Sequence, residues 1–376
     1  MSKRPVLHAD GERGLRGGER QLLYLAAALR AQGRRQIVCA RAGSALAAEA
    51  ARQGFETREL PFRGEWDPWT AARLAAWARR EGAIVHAHTG HAAGAILPAA
   101  LTGARTVAHR RVDFPVGGPS ARFKYARMGA VVAVSEAIAE ILRRAGVPGA
   151  LVSVVPDALP VSARECDWVG ADPQRYRPAS AAEKASLRRE LAAQLEIDAA
   201  GPWIGNLAAL VPHKDHDTLL AAAVIVLLKR PDARVLIAGE GPERARLEAS
   251  IRRMGLSRKV LLLGHRPDPI PLLKSLDVYA HSSWGEGMGS VLIEAAACGV
   301  PVAATAAGGI PEVVEDDRTG LLVMPRRPEA LAEAILRLIS EPALAARLAA
   351  GGAARRERFG LTRMAEAMEE VYERLA

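Results

Sequence analysis

Short apolar runs alternate with longer amphipathic stretches along this chain, and the alternation happens twice. The first series predicts strands at Val6–Ala9, Gln36–Ala40, Thr57–Leu60, Ala83–Ala87, Thr106–His109 and Val131–Val134. Helical patterns lie between them at Gly18–Gln32, Ala45–Gln53, Thr70–Arg80 and Glu136–Ala145. Strands that are apolar throughout and separated by helices belong to parallel sheets covered on both faces. Between Pro156 and Asp198 the rhythm breaks, with Pro156, Pro160, Pro173 and Pro178 set among charges, and this stretch reads as a linker. The second series predicts strands at Trp203–Leu210, Ala233–Ala238, Lys259–Leu263, Val278–His281, Pro301–Thr305 and Leu321–Val323. Its helices are expected at Asp217–Lys229, Pro242–Met254, Pro269–Leu276, Ser290–Cys298 and Glu329–Ser340. At roughly 150 residues per domain, 376 residues make two domains. We expect them at 1–180 and 181–360, followed by an amphipathic Leu361–Leu375. Doubly wound sheets bind ligands outside the carboxyl ends of their strands.

Composition narrows the class of protein. Hydrophobic residues make up 49% and charged residues 25%, which excludes disorder as the main state. Cys39, Cys166 and Cys298 are far apart and read as reduced thiols in a cytoplasmic chain. A membrane span needs about 18 successive apolar residues, and the best run, Leu219–Leu228, stops at Lys229 as a buried helix would. Met1–Asp10 reads as a first strand and not as a secretory signal. With 51 Lys and Arg against 42 Asp and Glu, the net charge of +9 suits membrane headgroups, nucleic acid or phosphorylated substrates. No recognisable nucleic-acid module is present, so nucleic acid is not an expected partner. A Walker phosphate loop, an H-E-x-x-H helix and a G-x-S-x-G elbow are all missing. The spacing of Gly11, Gly14, Gly17 and Gly18 does not match a dinucleotide fingerprint.

The segment with the most chemistry runs from Ser282 to Ala295, between a strand and an apolar helix. Gly287 and Gly289 let a backbone approach a ligand closely, and amides at the start of the next helix suit a phosphate. Glu294 on that helix can accept hydrogen bonds from a pair of vicinal hydroxyls, and Glu286 on the loop can reach a second polyol.

This segment resembles the E-x7-E signature of retaining glycosyltransferases with the GT-B fold. The surrounding chain is similar to glycosyltransferase family 4 over nearly its whole length. The likeness rests on Val235–Pro242, Leu263–Asp268, Ala295–Val302, Gly308–Glu312 and Thr319–Val323, and in the first half on Arg16–Arg20 and Val132–Glu136. The resemblance implies two Rossmann-like lobes facing a central cleft, with the last helix, 361–376, packed back on the first lobe. It implies transfer of a sugar from a nucleoside diphosphate sugar, with retention, and no metal in the chemical step. By the same token Glu294 would hold ribose hydroxyls, Glu286 donor-sugar hydroxyls, and Lys214 the diphosphate, helped by the amides of Gly287, Met288 and Gly289. Arg266 matches a basic position at the phosphate and base end, and His88 would face the donor sugar near the reacting carbon. The family usually carries an arginine five residues before its lysine, and here that position is Ala209.

The remaining motifs have blander explanations beside their sharper ones. His86, His88 and His91 suggest a metal, but no fourth ligand is near in sequence and we expect none. Asp215-His216-Asp217 has the D-x-D pattern of metal-dependent sugar transferases, yet Asp217 before Thr218 is expected to be a helix cap. Gly17 and Gly18, flanked by Arg16 and Arg20, form either a tight turn or a cradle for the acceptor. Arg110 and Arg111, with Arg122, Lys124 and Arg127 further on, form either a solvated face or a patch for an anionic acceptor and its headgroups. The reading as a whole is a glycosyltransferase that needs no cofactor, since the nucleotide sugar is a substrate. Its acceptor would be a cell-envelope glycan or lipid-linked saccharide of the lipopolysaccharide-core type, met in the cytoplasm or at the inner face of the membrane. An epimerase or phosphorylase on the same fold, and a basic membrane- or polyanion-binding protein, are the alternatives.

Overall fold

The computed structural model describes residues 3–114, 116–117 and 123–375. The chain forms two units, one of Met1–Pro173 with Phe359–Ala376 and one of Gln174–Arg358. The division falls at Pro173, ahead of the expected 180. Arg175 pairs with Asp268 at 2.7 Å, and Arg356 donates to the Tyr176 carbonyl at 3.3 Å, which ties this stretch into the second unit.

In the first unit the strands are β1 (Val6–Asp10), β2 (Gln36–Arg41), β3 (Glu56–Leu60), β4 (Ile84–Ala87), β5 (Thr106–Arg110), β6 (Ala130–Ala133) and β7 (Val152–Val154). They pair in parallel in the order β3-β2-β1-β4-β5-β6-β7. Val6 sits between Gln36 and Ile84, so β1 is central. Strand order reverses between β1 and β4, which is where ligands enter sheets of this kind. The central strands are buried end to end, whereas edge strand β3 leaves Glu56 and Glu59 in solvent. The helix Leu361–Glu373 lies in this unit's core, where Leu361, Met364, Ala365, Met368, Val371 and Tyr372 form one apolar face beside Val6, Leu25 and Ile84. Each large apolar side chain so buried contributes about 1.5–3 kcal/mol. Glu369 on the same helix accepts from Arg34 Nε at 3.0 Å and from Lys3 at 3.1 Å.

The second unit repeats the pattern with β8 (Trp203–Leu207), β9 (Arg234–Ala238), β10 (Val260–Gly264), β11 (Val278–His281), β12 (Val302–Thr305) and β13 (Leu321–Val323). Its order, β10-β9-β8-β11-β12-β13, is again parallel and reverses between β8 and β11. Leu219, Leu220, Leu331 and Ile335 pack on Val235, Ile237 and Val278 to form its core. The apolar run at 219–228 is buried on one face of its helix, and Leu228 stands 78% exposed.

The proline-rich stretch is not a featureless linker. Ser162 and Glu165 make a capping box that starts the helix Ala163–Val169. Ser180 caps a second helix, Ala181–Leu195, which buries only Leu191 and Ala192. Charges hold this second helix: Lys184 and Arg188 reach Asp277 at 2.7 and 2.9 Å, and Lys274 reaches Glu183 at 3.0 Å. A helix fastened by ion pairs carries no apolar stripe for periodicity to find.

Candidate active site

At the order reversal of the second unit, the loops after β8 and β11 meet. The chain leaves β8 at Leu207 and turns through a short 3-10 helix, Pro212–Lys214. Asp215 follows in the left-handed region (φ 49) and caps the helix His216–Lys229, its carboxylate accepting from Thr218 N at 3.3 Å and Thr218 Oγ1 at 2.7 Å. The cap is thus Asp215 and not Asp217, which lies in the first turn and pairs with Arg246 at 2.8 Å. Both carboxylates of the D-x-D pattern are thereby accounted for.

Opposite, Glu286 Oε2 accepts from Lys214 Nζ, and also contacts His281 Nε2 at 3.0 Å and Ser283 Oγ at 3.3 Å. Burial alone would push the Glu286 carboxyl up, but the Lys214 ammonium and the His281 hydrogen bond outweigh it and hold the group well below the usual range. The backbone here is fixed from behind. Gly309 N donates to the Glu286 carbonyl at 3.1 Å, and a side chain at Gly308 (φ 51) would place its Cβ 2.0 Å from that oxygen. Thr305 Oγ1 donates to the Ser283 carbonyl at 2.5 Å, and Ser282 Oγ to the Lys214 carbonyl at 2.9 Å. His216 nearby has its pKa lowered to about 4 by burial and by the neighbouring His281 and Lys214. Gly289 (φ 82) then starts the helix Ser290–Ala297, which carries Glu294 buried on its inner side, while Met288 is 3% exposed. Lys214, Glu286 and the Gly287–Gly289 loop therefore come together. Arg266 is half-buried in the loop after edge strand β10, two strands from β8. His281, Ser283 and Thr305 were not singled out by sequence, because a lone His or Ser at a strand end carries no spacing signal.

The first unit brings different groups to its own order reversal. His88 follows β4, its amide donating to the Ala9 carbonyl at 3.0 Å. Its partners are not those the sequence grouping suggested. His91 lies outside, with its side chain 66% exposed and 3.7 Å from Glu12. His8 of β1 takes its place, with ring nitrogens of His8, His86 and His88 all within 4.8 Å of one another. His8 Nδ1 and His88 Nε2 are bonded to each other at 2.9 Å, and the Arg111 guanidinium reaches His88 Nδ1 at 3.3 Å. A divalent cation there would break the first bond and face the guanidinium, while His86 is bonded instead to the Tyr372 hydroxyl at 2.7 Å.

Arg110 and Arg111 do not form a solvated face. Arg110 is 8% exposed, donating to the Phe114 carbonyl and lying 3.5 Å from the Tyr125 hydroxyl. Arg111 pairs with Asp157 at 3.0 Å, and Lys124 with Glu65 at 2.6 Å. The β5 strand carries Arg110 inward because its residues are buried on both faces, and Arg111 follows it directly. Arg122 lies outside the described residues. Gly17 and Gly18 open the helix Gly17–Ala31, where Arg16 N donates to Glu19 Oε2 at 2.5 Å. Beside them a cavity of about 350 Å³ is lined by Arg13, Arg16, Arg41 and His91 together with Glu12 and Glu19. Arg13, Arg16 and Arg41 have no ion-pair partner among the described residues.

Comparison with known proteins places both units. Residues 15–162 match the family model Glycosyltransferase Family 4, and residues 188–355 match Glycosyl transferases group 1. The chain superposes over 98% of its length on 99% of Anabaena Alr3699/HepE in complex with UDP and glucose, with a TM-score of 0.84 at 22% identity. A glycosyltransferase from Rickettsia africae gives a TM-score of 0.85 over 100% of this chain and 99% of that one, at 22% identity. The chain thus carries a Glycosyltransferase Family 4 domain followed by a Glycosyl transferases group 1 domain, on a fold whose structural neighbours are GT-B glycosyltransferases. Among curated relatives, it is 36% identical over 196 residues to a GDP-mannose-dependent monoacylated alpha-(1-6)-phosphatidylinositol monomannoside mannosyltransferase of Corynebacterium glutamicum, over 49% of each chain. It is 32% identical over 215 residues to a D-inositol 3-phosphate glycosyltransferase of Corynebacterium jeikeium, over 55% of this chain and 50% of that one. The chain thus matches about half the length of these relatives. Among the described residues no helix is long and apolar enough to cross a membrane.

Proposed function

We propose that this protein transfers a sugar from a nucleoside diphosphate sugar to a hydroxyl acceptor, with retention at the anomeric carbon. The observation that carries the reading is the half-buried Lys214–Glu286 pair at the order reversal of the second unit, next to the Gly289 helix start. In the donor-free protein the two charges neutralise each other. With donor bound, Lys214 turns to the diphosphate, where negative charge grows as the anomeric bond breaks, and Glu286 accepts from sugar hydroxyls. Preorganised cations and amides are effective at such a place because they need no reorganisation during reaction. Glu294 holds the ribose, and Arg266 serves the base end. The acceptor oxygen bonds to the anomeric carbon on the face the diphosphate leaves, and its proton passes to a leaving phosphate oxygen. No metal is needed for this balance. On the acceptor side, the cavity of arginines and carboxylates beside Gly17 and Gly18 suits a charged, hydroxyl-rich molecule. The named relatives act on inositol-based acceptors, one of them a lipid. A phosphorylated or lipid-linked saccharide of the envelope, met at the inner face of the membrane, fits that chemistry.

The test is a thermal-shift series with UDP, GDP, ADP, dTDP and CMP, since a ligand of the native state raises Tm by mass action. One diphosphate is expected to shift the wild type and not Glu294→Ala. With the matching sugar nucleotide, Lys214→Ala should turn over roughly 10²–10³-fold more slowly, with or without EDTA. No shift with any nucleotide, or normal turnover in a folded Lys214→Ala, would overturn the reading.

A further inference from the structure

The first unit gathers four buried imidazoles, from His8 on β1, His86 on β4, His88 just beyond it and His109 on β5. Ring centroids are 4.1 Å apart for His86 and His88 and 5.1 Å for His8 and His88. A neutral imidazole has one donor nitrogen and one acceptor, and which is which follows from its neighbours. Here both ends of a chain decide. Arg111 Nη1 can only donate, so His88 Nδ1, 3.3 Å away, accepts. His88 therefore carries its proton on Nε2 and donates to His8 Nδ1 at 2.9 Å. His8 in turn carries its proton on Nε2 and donates to Gln36 Oε1 at 2.6 Å. At the far end, Gln36 Nε2 donates to the Arg34 carbonyl at 2.9 Å, which can only accept and so fixes the amide the same way round. Starting from the carbonyl gives the same direction as starting from the guanidinium. His109 Nδ1 accepts likewise from Arg111 Nη2 at 3.3 Å. His86 stands beside the chain, bonded through Nδ1 to the Tyr372 hydroxyl at 2.7 Å.

Two consequences follow for Arg111. A proton added to His8 or His88 would set two donors face to face, and burial together with the guanidinium keeps both rings neutral, His8 down to about 4. The guanidinium has five N–H groups. Asp157 takes the one on Nε at 3.0 Å, and His88 and His109 take one each from Nη1 and Nη2. One N–H on each terminal nitrogen is left, on a side chain that is 11% exposed. Arg111 directly follows β5, at the carboxyl end of the sheet from which the loop of Gly11 and Glu12, lining the 350 Å³ cavity, also leaves β1.

We propose that His8, Gln36, His88 and His109 are positioning residues for Arg111, which they present as a two-pronged donor for a phosphate group of the acceptor. The proposal rests on the glycosyl-transfer reading for what the phosphate belongs to, and on the hydrogen-bond chain for everything else. It makes His88 an acceptor toward Arg111, with no N–H left to offer a ligand. Arginine suits the task because paired N–H groups match two oxygens of one phosphate.

The test reads rings and guanidinium directly, on full-length protein labelled with 15N in histidine and arginine. At pH 5.5, where an ordinary imidazole is mostly charged, His8 and His88 are expected neutral and protonated on Nε2. A charged ring, or a proton on Nδ1 of His88, overturns the chain. Titration with inorganic phosphate is expected to move the Arg111 side-chain signals in the wild type. Gln36→Leu, which removes the acceptor at the far end, should mix the His88 tautomers and weaken the phosphate response about tenfold. An unmoved guanidinium in the wild type overturns the ligand class, and an unweakened response in a folded Gln36→Leu overturns the positioning role. Should Gln36→Leu not fold, the wild-type tautomers and titration decide alone. None of these readouts involves the nucleotide or Glu294, so their failure and that of the transfer reading are separable.

Discussion

Asp10, the last residue of β1, has one carboxylate oxygen bonded to Glu12 N at 2.8 Å and the other buried without a partner. Burial first, and then the charges of Glu19 and Glu12, raise its pKa from 3.8 to about 7. The folded chain therefore holds a proton that the unfolded chain gives up, and stability falls as pH rises through that interval. Asp10→Asn keeps the bond to Glu12 and removes the charge. It should raise Tm at pH 8, by the equivalent of up to about 4 kcal/mol, and leave Tm unchanged near pH 3, as melting curves at the two pH values would show. At this scale the sequence was partly legible. Glu286 and the glycine loop stood out because they form a local pattern after a strand, whereas Lys214 stood out only through the family resemblance. His8 and Gln36 lie in strands remote from His88 in sequence, and only the register of β1 against β2 and β4 brings the three together.

Glu165 shows how one side chain can fasten two elements. Its Oε2 accepts from Val161 N at 2.9 Å and Ser162 N at 3.3 Å, closing the start of its own helix. Its Oε1 accepts from Thr362 N at 2.8 Å and Thr362 Oγ1 at 2.7 Å, closing the start of the last helix. Glu165→Ala should cost roughly 2–3 kcal/mol, since it removes four part-buried hydrogen bonds to a carboxylate, whereas Ser162→Ala should cost about 1 kcal/mol. Urea unfolding of the two variants would compare them. Central strands were readable from sequence within one to three residues because burial on both faces makes them apolar throughout. β7 was missed, being three half-buried residues at the sheet edge. The short helices Gly90–Ala95 and Leu97–Leu101, and Pro342–Ala354 later, were missed because alanine-rich segments give periodicity little contrast.

For the whole molecule, the two repeated strand series give two sheets of one strand order, and that much the alternation of runs made plain. The place where one unit ends was less plain, since Arg175 and Tyr176 are fastened by tertiary bonds that composition does not announce. Removing residues 359–376 would take Leu361, Met364, Met368 and Tyr372 out of the first unit and leave Arg34 without Glu369. Limited proteolysis of that truncated chain should digest the first unit and leave 174–358 resistant; equal resistance of both would contradict this account of the core.

The first unit's discontinuity also bears on the order in which the protein is made. Every strand of its sheet leaves the ribosome long before the helix that covers Val6, Leu25 and Ile84. In that interval the whole second unit is synthesised, with all six of its strands local to itself. The earlier-made half must then wait with an open apolar face, the kind of exposure that recruits chaperones, while the later-made half completes its fold first.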